Sequence, residues 1–544
     1  MPKAKAKTKN TQTVSSHHYV YPKTKTLKNK YGIKDLDTFL KRCSHDTDEA
    51  MNRLRGEPLP EFFDIDYLRH IHHELFKNTF EWAGQLRHTP FTFADGTTAA
   101  MPEMKRTGWN NPFAIGNEVQ EGLQRLEQRL AEKNNLRGLT REEFNSQALE
   151  IFNALNDIHP FREGNGRTQR VFLEKLACAA GHQLDFSLVT KERMMVASVA
   201  VAEKGDLEPM QHLFEDISHP EKIRLLREFM DNMKSAGRNV SDRPVMVVKE
   251  GETYTGTYRG AGFEGFAFNV KGAYVIGNKD HLPPEQLKTL KPGDKITFTA
   301  PKAEDLEKTL IPKETLAPLT KLEMAEMVAE DALVHKCRDQ IFKLSKTVYG
   351  SSSVLNKEMI EIIKYPNKGM LLAEKIEKSP SSVHSLAGFD VICFKSRARG
   401  EAEENIIRLG CAVANFTHAV EHARQEITKE HQAEQSRCGR EVPMPSQSLR
   451  DLLSAPQEMQ QKALQDSPVL QKELMSFVQK VNSRLSSSEH RAMRENNHEE
   501  LAKSLGISEN KAKEITKTVT KAQEVQQQSQ TRTMSRSKAL AMAS

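Results

Sequence analysis

The chain has 544 residues, with 79 Lys and Arg against 73 Asp and Glu, 6% aromatic residues and a net charge of +6. That length exceeds what one hydrophobic core can organise and calls for about three domains. The charge is the sum of +8 in residues 1–30, +5 in residues 511–544 and −7 between them, so the basic balance belongs to two tails and excludes a basic nucleic-acid-binding body.

In chain order, residues 1–30 read as a basic tail and 31–215 as a helical domain. Within it, Glu81-Trp82-Ala83-Gly84-Gln85-Leu86-Arg87 leads into a loosely alternating stretch, Thr89 to Ala100, whose Asp95-Gly96 is a hairpin-turn signal. Met104-Lys105-Arg106-Thr107-Gly108-Trp109 follows. It is either a nucleotide-contacting loop through Lys105, Arg106, Thr107 and Gly108, or a solvated loop with Trp109 in the core. Phe144, Ala148, Ile151, Leu155 and Ile158 recur at helical spacing, as do Val171, Phe172, Leu176 and Ala179. Two helices thus bracket a phosphate-sized loop.

Residues 216–242 read as a charged helical connector. Between 243 and 302 the period changes to short strand-like runs separated by Gly-rich turns, which predicts a small OB-like β-barrel. Tyr254, Tyr258, Phe266 and Phe268 are of the type that stacks on nucleic-acid bases. A barrel this small needs them inside, so a connector or protein-docking role is expected and no nucleic-acid partner. Residues 303–510 are helical again. Ile406, Leu409, Val413, Phe416, Val420, Ala423 and Ile427 form a strict seam that predicts an antiparallel helical bundle. The final stretch, 511–544, reads as a basic tail without periodicity, expected to be disordered. Cys43, Cys178, Cys337, Cys393, Cys411 and Cys438 show no Cys-x-x-Cys spacing, which predicts reduced thiols and no zinc site. No apolar run suits a Sec signal or a bilayer span. The fold class expected is therefore multidomain and mainly α.

The chemistry concentrates in His159-Pro-Phe-Arg-Glu-Gly-Asn-Gly-Arg-Thr-Gln-Arg170. His159 precedes proline and so sits in turn or extended backbone, where a neutral imidazole can take a proton from a hydroxyl. Glu163 is a hard oxygen ligand suited to Mg²⁺ shared with phosphates. Gly164, Asn165 and Gly166 open a helix whose N–H groups favour an anion, and the Asn165 amide can face charge on an attacked phosphoryl group. Arg167 and Arg170, three apart, suit terminal phosphates. A nucleophile is missing, so the acceptor hydroxyl must come from another molecule.

This run resembles the Fic signature His-x-Phe-x-(Asp/Glu)-Gly-Asn-Gly-Arg-x-x-Arg and matches it at every defined position. The resemblance implies a Mg²⁺-dependent protein adenylyltransferase moving AMP from ATP to Ser, Thr or Tyr of a target protein. His159 would be the general base, Phe161 a core anchor, Glu163 the metal ligand, Gly164–Gly166 the anion nest, and Arg167 and Arg170 the phosphate contacts. It also implies that the hairpin is a flap adding the target as a strand. Transfer of UMP, GMP, phosphocholine or phosphate is the alternative within the family. Fic proteins are often restrained by a helix reading (Ser/Thr)-x-x-x-Glu-(Gly/Asn). None of Glu121, Glu163, Glu250, Glu264, Glu404, Glu495 and Glu509 has Ser or Thr four residues earlier, so a separate antitoxin-like protein is expected to contact Arg170.

The order Fic domain, OB-like domain, polar bundle and basic tail resembles the Bartonella effector proteins. That family implies a BID-like bundle with a tail read by type IV secretion coupling machinery. It also implies residence in the bacterial cytoplasm before export to the host cytosol, and a host membrane or signalling protein as partner of the bundle. A non-enzymatic adaptor acting through that bundle is the reading from another class.

Overall fold

A computed structural model describes residues 14–105, 112–306, 308–391 and 394–543. They divide into two compact units. One takes the chain up to 279 together with 291–301, and the other takes 280–290 and everything from 302.

The first unit begins with helices α1 (Leu36–Gly56) and α2 (Ile65–Phe76), started by Asp35 and Asp64, whose carboxylates accept from the N–H groups of Thr38 and Tyr67. The hairpin β1 (Phe91–Thr92) and β2 (Thr98–Ala99) follows, closed around Asp95-Gly96 with Gly96 at φ 79°. Then come α3 (Glu118–Glu132), α4 (Arg141–Ile158), α5 (Asn165–Ala179), α6 (Lys191–Lys204) and α7 (Glu208–Ser218). A reciprocal Thr140–Glu143 capping box starts α4, and its Phe144, Ala148, Ile151 and Leu155 are buried as their spacing predicts. The core also holds Phe76, Phe80, Trp82, Phe161 and Phe172.

The basic stretch expected as a tail to residue 30 is packed from residue 14 onward. Tyr19 is buried edge-on against Trp82 and Phe93, with ring centroids 5.6 and 6.0 Å away. The Thr98 carbonyl accepts from the Ser15 N–H at 3.2 Å and from His18 Nδ1 at 2.6 Å. Lys28 Nζ ties the hairpin tip through Asp95 (2.7 Å) and Thr97 (2.8 Å).

The supposed connector contains α8 (Pro220–Ser235), which buries Ile223, Leu225, Leu226 and Phe229 over a five-stranded sheet. Its strands are β3 (Val245–Val247), β4 (Thr253–Ala261), β5 (Gly265–Val270), β6 (Ala273–Asn278) and β7 (Lys295–Thr299), in the order β3-β6-β5-β4-β7. Only the β3–β6 pair is parallel. No pairing joins β3 to β7 among the described residues, so the sheet is open where a closed barrel was expected. Helix α8 covers the face that further strands would have to enclose. Phe266, Phe268 and Phe298 pack on one another inside, and Tyr258 is buried, which removes an aromatic platform for bases. The sheet is bound to the helices by Asp216, which accepts from Arg193 (2.7 Å) and from the Val247 N–H (3.0 Å).

In the second unit, helix Ile406–Cys438 buries Leu409, Val413, Phe416, Val420 and Ala423 of the expected seam, against helices Ala332–Tyr349 and Asn367–Lys378. Residues 280–290 belong here. Asp280 accepts from the Ser508 N–H (2.7 Å) and hydroxyl (2.6 Å), and Lys288 pairs with buried Glu314 at 2.7 Å. The tail expected to be disordered instead forms helix Glu509–Ala543. Ala512, Ile515, Val519, Ala522 and Val525 are buried in the core of this unit. Their three- and four-residue steps are masked in the sequence by the Lys, Thr and Gln between them. Ile515→Ala should therefore destabilise this unit by about 2–4 kcal/mol, read as a lower midpoint of its own unfolding transition in the full chain, with the first unit's transition unmoved.

Candidate active site

The loop between α4 and α5 is built from two left-handed residues. His159 caps α4 at φ 47°, ψ 62°, its N–H bonded to the Leu155 carbonyl at 3.0 Å. A non-glycine residue there costs conformational energy and persists only when its surroundings impose it. Pro160, next in the chain, cannot continue the helix. Gly164 sits at φ 88°, and a Cβ on it would lie 2.3 Å from the Phe76 ring. Glycine is thus required twice over, by backbone angle and by contact. Helix α5 then opens at Asn165, so the N–H groups of Asn165, Gly166 and Arg167 have no carbonyl one turn earlier to receive them.

Asn165 is buried, and its side chain bridges both backbone groups of Phe161: Oδ1 accepts the N–H at 2.9 Å and Nδ2 donates to the carbonyl at 2.8 Å. The amide expected to face a phosphoryl group therefore holds the loop, and what Asn165 offers an anion is its backbone N–H. Arg167 lies 4.7 Å over the Phe76 ring and donates to Thr47 Oγ1 at 3.1 Å and to Glu163 Oε1 at 3.4 Å. Arg170 makes no hydrogen bond or ion pair among the described residues, and burial pushes its guanidinium pKa down. Glu163 presents an exposed carboxylate. The described residues hold no cluster of three or more metal-ligating side chains. A lone carboxylate beside an anion nest suits Mg²⁺, which takes few protein ligands and completes its shell with phosphate oxygens and water.

The site is tied together by two residues whose roles the motif does not reveal. Arg87 is fully buried and gives all five N–H bonds to carbonyls: Nε to His159 (2.7 Å), Nη1 to Met101 (2.9 Å) and Pro102 (2.8 Å), Nη2 to Ala114 (2.5 Å) and Ile158 (3.3 Å). Burial pushes its pKa down to about 10. His72, also fully buried, accepts the Gly84 N–H on Nδ1 at 2.8 Å and donates from Nε2 to the Glu163 carbonyl at 3.0 Å. It stacks on Phe161, centroids 3.9 Å apart. Lys105 is exposed and bridges Pro112, whereas Arg106, Thr107 and Gly108 lie outside the described residues.

A family model for Fic/DOC proteins matches residues 62–177, which span this whole site. A "Protein adenylyltransferase" of Bartonella henselae is 78% identical over the full length of both chains. This chain belongs to the Fic/DOC family of protein adenylyltransferases. A second relative, "Protein adenylyltransferase VbhT" of Bartonella schoenbuchensis, is 33% identical over 34% of this chain and 36% of its own. The solved structure of "Type IV secretion system effector protein BepA" is 80% identical, covering 54% of this chain and 99% of that one, with a TM-score of 0.53. A model described as an intracellular delivery domain matches residues 246–298, on the five-stranded sheet rather than on the helical stretch 303–510.

Within this Fic site, His72 and Arg87 escape sequence reading because each works on main-chain atoms. The only outward sign of His72 is a histidine on the buried face of an amphipathic helix, which reads as core. Burial holds the His72 pKa near about 3, whereas an exposed imidazole titrates near 6.5. The unfolded chain therefore takes up a proton that the folded chain refuses. Stability from neutral His72 is complete above pH 6.5 and falls by about 1.4 kcal/mol per unit below it. Chemical denaturation at pH 7.0 and 5.5 should differ by on the order of 1 kcal/mol from this source, and the difference should shrink in His72→Gln. Gly164→Ala should lower the melting temperature of the first unit and abolish ATP binding measured by calorimetry, because the methyl group has no place beside Phe76.

Proposed function

We propose that the chain transfers AMP from ATP to a Ser, Thr or Tyr hydroxyl of a host protein, with His159 as general base. The observation that carries this is the α4–α5 junction, where a fixed His159 ends one helix and a Gly164-defined nest opens the next. The hydroxyl loses its proton to His159 while its oxygen attacks the α-phosphorus. The bond from that phosphorus to the bridging oxygen breaks, and pyrophosphate leaves. The α5 N–H groups, Arg167 and Arg170 hold the phosphates, so the chain contributes positioning and charge stabilisation. Glu163 would hold Mg²⁺, which when bound offsets phosphate charge. Lys105 to Gly108 would flank the nucleotide.

The flap gives the target a strand edge. The Thr98 carbonyl of β2 is already taken by Ser15 and His18, which leaves the Phe91–Thr92 strand as the open side for main-chain pairing. A separate inhibitory protein would supply a carboxylate to Arg170, which is attracted by Glu174 but forms no ion pair among the described residues. The helical unit and its basic C-terminal helix would carry the signal read by type IV coupling machinery, with the delivery-domain match extending that signal into the sheet. Export then moves the protein from the bacterial to the host cytosol, where the helical unit would meet a membrane or a signalling protein. No described helix is long and apolar enough to cross a membrane.

Host lysate incubated with α-labelled ATP should gain label on hydroxyl side chains, located by mass spectrometry. His159→Ala should lower labelling by about a hundredfold or more while ATP still binds. Equal labelling by UTP or GTP, or undiminished labelling by His159→Ala, would sink this assignment.

A further inference from the structure

We propose that Phe113 is a positioning residue that sets the plane of the His159 imidazole for proton abstraction; this rests on the reading of His159 as general base. The two rings lie face to face, centroids 3.9 Å apart and planes 14° from parallel. Aromatic pairs commonly sit at 4.5–7 Å, so this contact is close. Phe113 is only half-buried and lies outside the hydrophobic core, whereas its neighbour Ala114 packs against it.

Both rings are mounted on the same fixture. The His159 backbone is held at its N–H by Leu155 and at its carbonyl by Arg87. Phe113 donates its N–H to the Met104 carbonyl at 3.1 Å, and the Ala114 N–H bonds to Asp157 at 3.1 Å. The Ala114 carbonyl accepts from Arg87 Nη2. One guanidinium therefore fixes the main chain on each side of the stack. A flat neighbour at that distance restricts the plane that rotation about the two side-chain bonds of His159 can reach. The contact engages the π face rather than a ring nitrogen. It can orient the base without occupying the atom that takes the proton, whereas the usual orienting carboxylate bonds to an imidazole N–H.

The test is a set of initial-rate measurements on the full chain, with α-labelled MgATP as donor and host lysate as acceptor. Phe113→Ala should lower the rate at saturating ATP by about 10- to 100-fold, a part of what general-base catalysis supplies, while the KM for ATP changes less than about twofold. Phe113→Tyr and Phe113→Trp keep a flat face and should stay within about threefold of the parent. Phe113→Leu keeps apolar bulk without that face and should remain slow. If Leu restores the rate as well as Tyr does, Phe113 only fills space and the inference is overturned. An unchanged rate in Phe113→Ala overturns it too. Should Phe113→Ala fold poorly, the Leu-against-Tyr comparison decides alone. His159→Ala separates the two readings: an active His159→Ala removes the base assignment itself, whereas a dead His159→Ala beside a normal Phe113→Leu removes only the role of Phe113.

Discussion

A single buried guanidinium, with no carboxylate paired to it among the described residues, holds the catalytic unit in register. Arg87 spends its five donors on five carbonyls drawn from the end of α4, the segment after the flap and the approach to α3. A buried cation is tolerated when every donor is satisfied, and the oriented carbonyl dipoles replace the hydration it has lost. The converse is that these carbonyls depend on it. Removing Arg87 would leave several buried acceptors unpaired, each costing roughly 1–3 kcal/mol. The flap's main chain also joins the motif directly, through the Arg87 N–H to Pro160 and the Met101 N–H to the Arg87 carbonyl. The flap and His159 are therefore parts of one assembly.

That assembly stores strain where the chemistry needs it. His159 and Gly164 both adopt left-handed angles, one with a side chain and one necessarily without. The side-chain case is held by Arg87 and by the last turn of α4. The glycine case is imposed by Phe76, whose ring fills the space a methyl group would need. Asn165 and His72 then lock the residues between them, Asn165 through the Phe161 backbone and His72 through the Glu163 carbonyl. The result presents main-chain N–H groups at the start of α5, an arrangement that favours an anion.

Legibility in the sequence followed how local each interaction is. The helices around the motif, the hairpin tip at Asp95-Gly96 and the Leu409–Ala423 seam were readable because period and turn chemistry are local. The residues of the Fic motif were readable as a set, yet the Asn165 side chain was misassigned because an amide serves a loop and an anion equally well. Arg87, His72 and Phe113 were not readable as a site. Their partners are carbonyls and rings 12 to 91 positions away, and nothing in their neighbours' identities encodes that. The open sheet and the packed C-terminal helix failed for a related reason. The apolar stripes of α8 and of Ala512–Val525 lie under a charged text, and only their burial partners reveal them.

Arg170 lies half-buried in α5. Its charge is partly desolvated, burial lowers its pKa, and the attraction of Glu174 offsets this only in part. A cation in that state gains more from an incoming anion than a solvated one would, since part of its desolvation is already complete before binding. The gain is the same in kind for a nucleotide phosphate and for a carboxylate. A phosphate and a carboxylate would therefore compete for one guanidinium, and affinity for the first could not be raised without raising it for the second. A chain that carried its own carboxylate would meet this competition at every turnover. Under the proposed regulation, placing the carboxylate on a separate protein would let the restraint be left behind when the enzyme moves to another compartment.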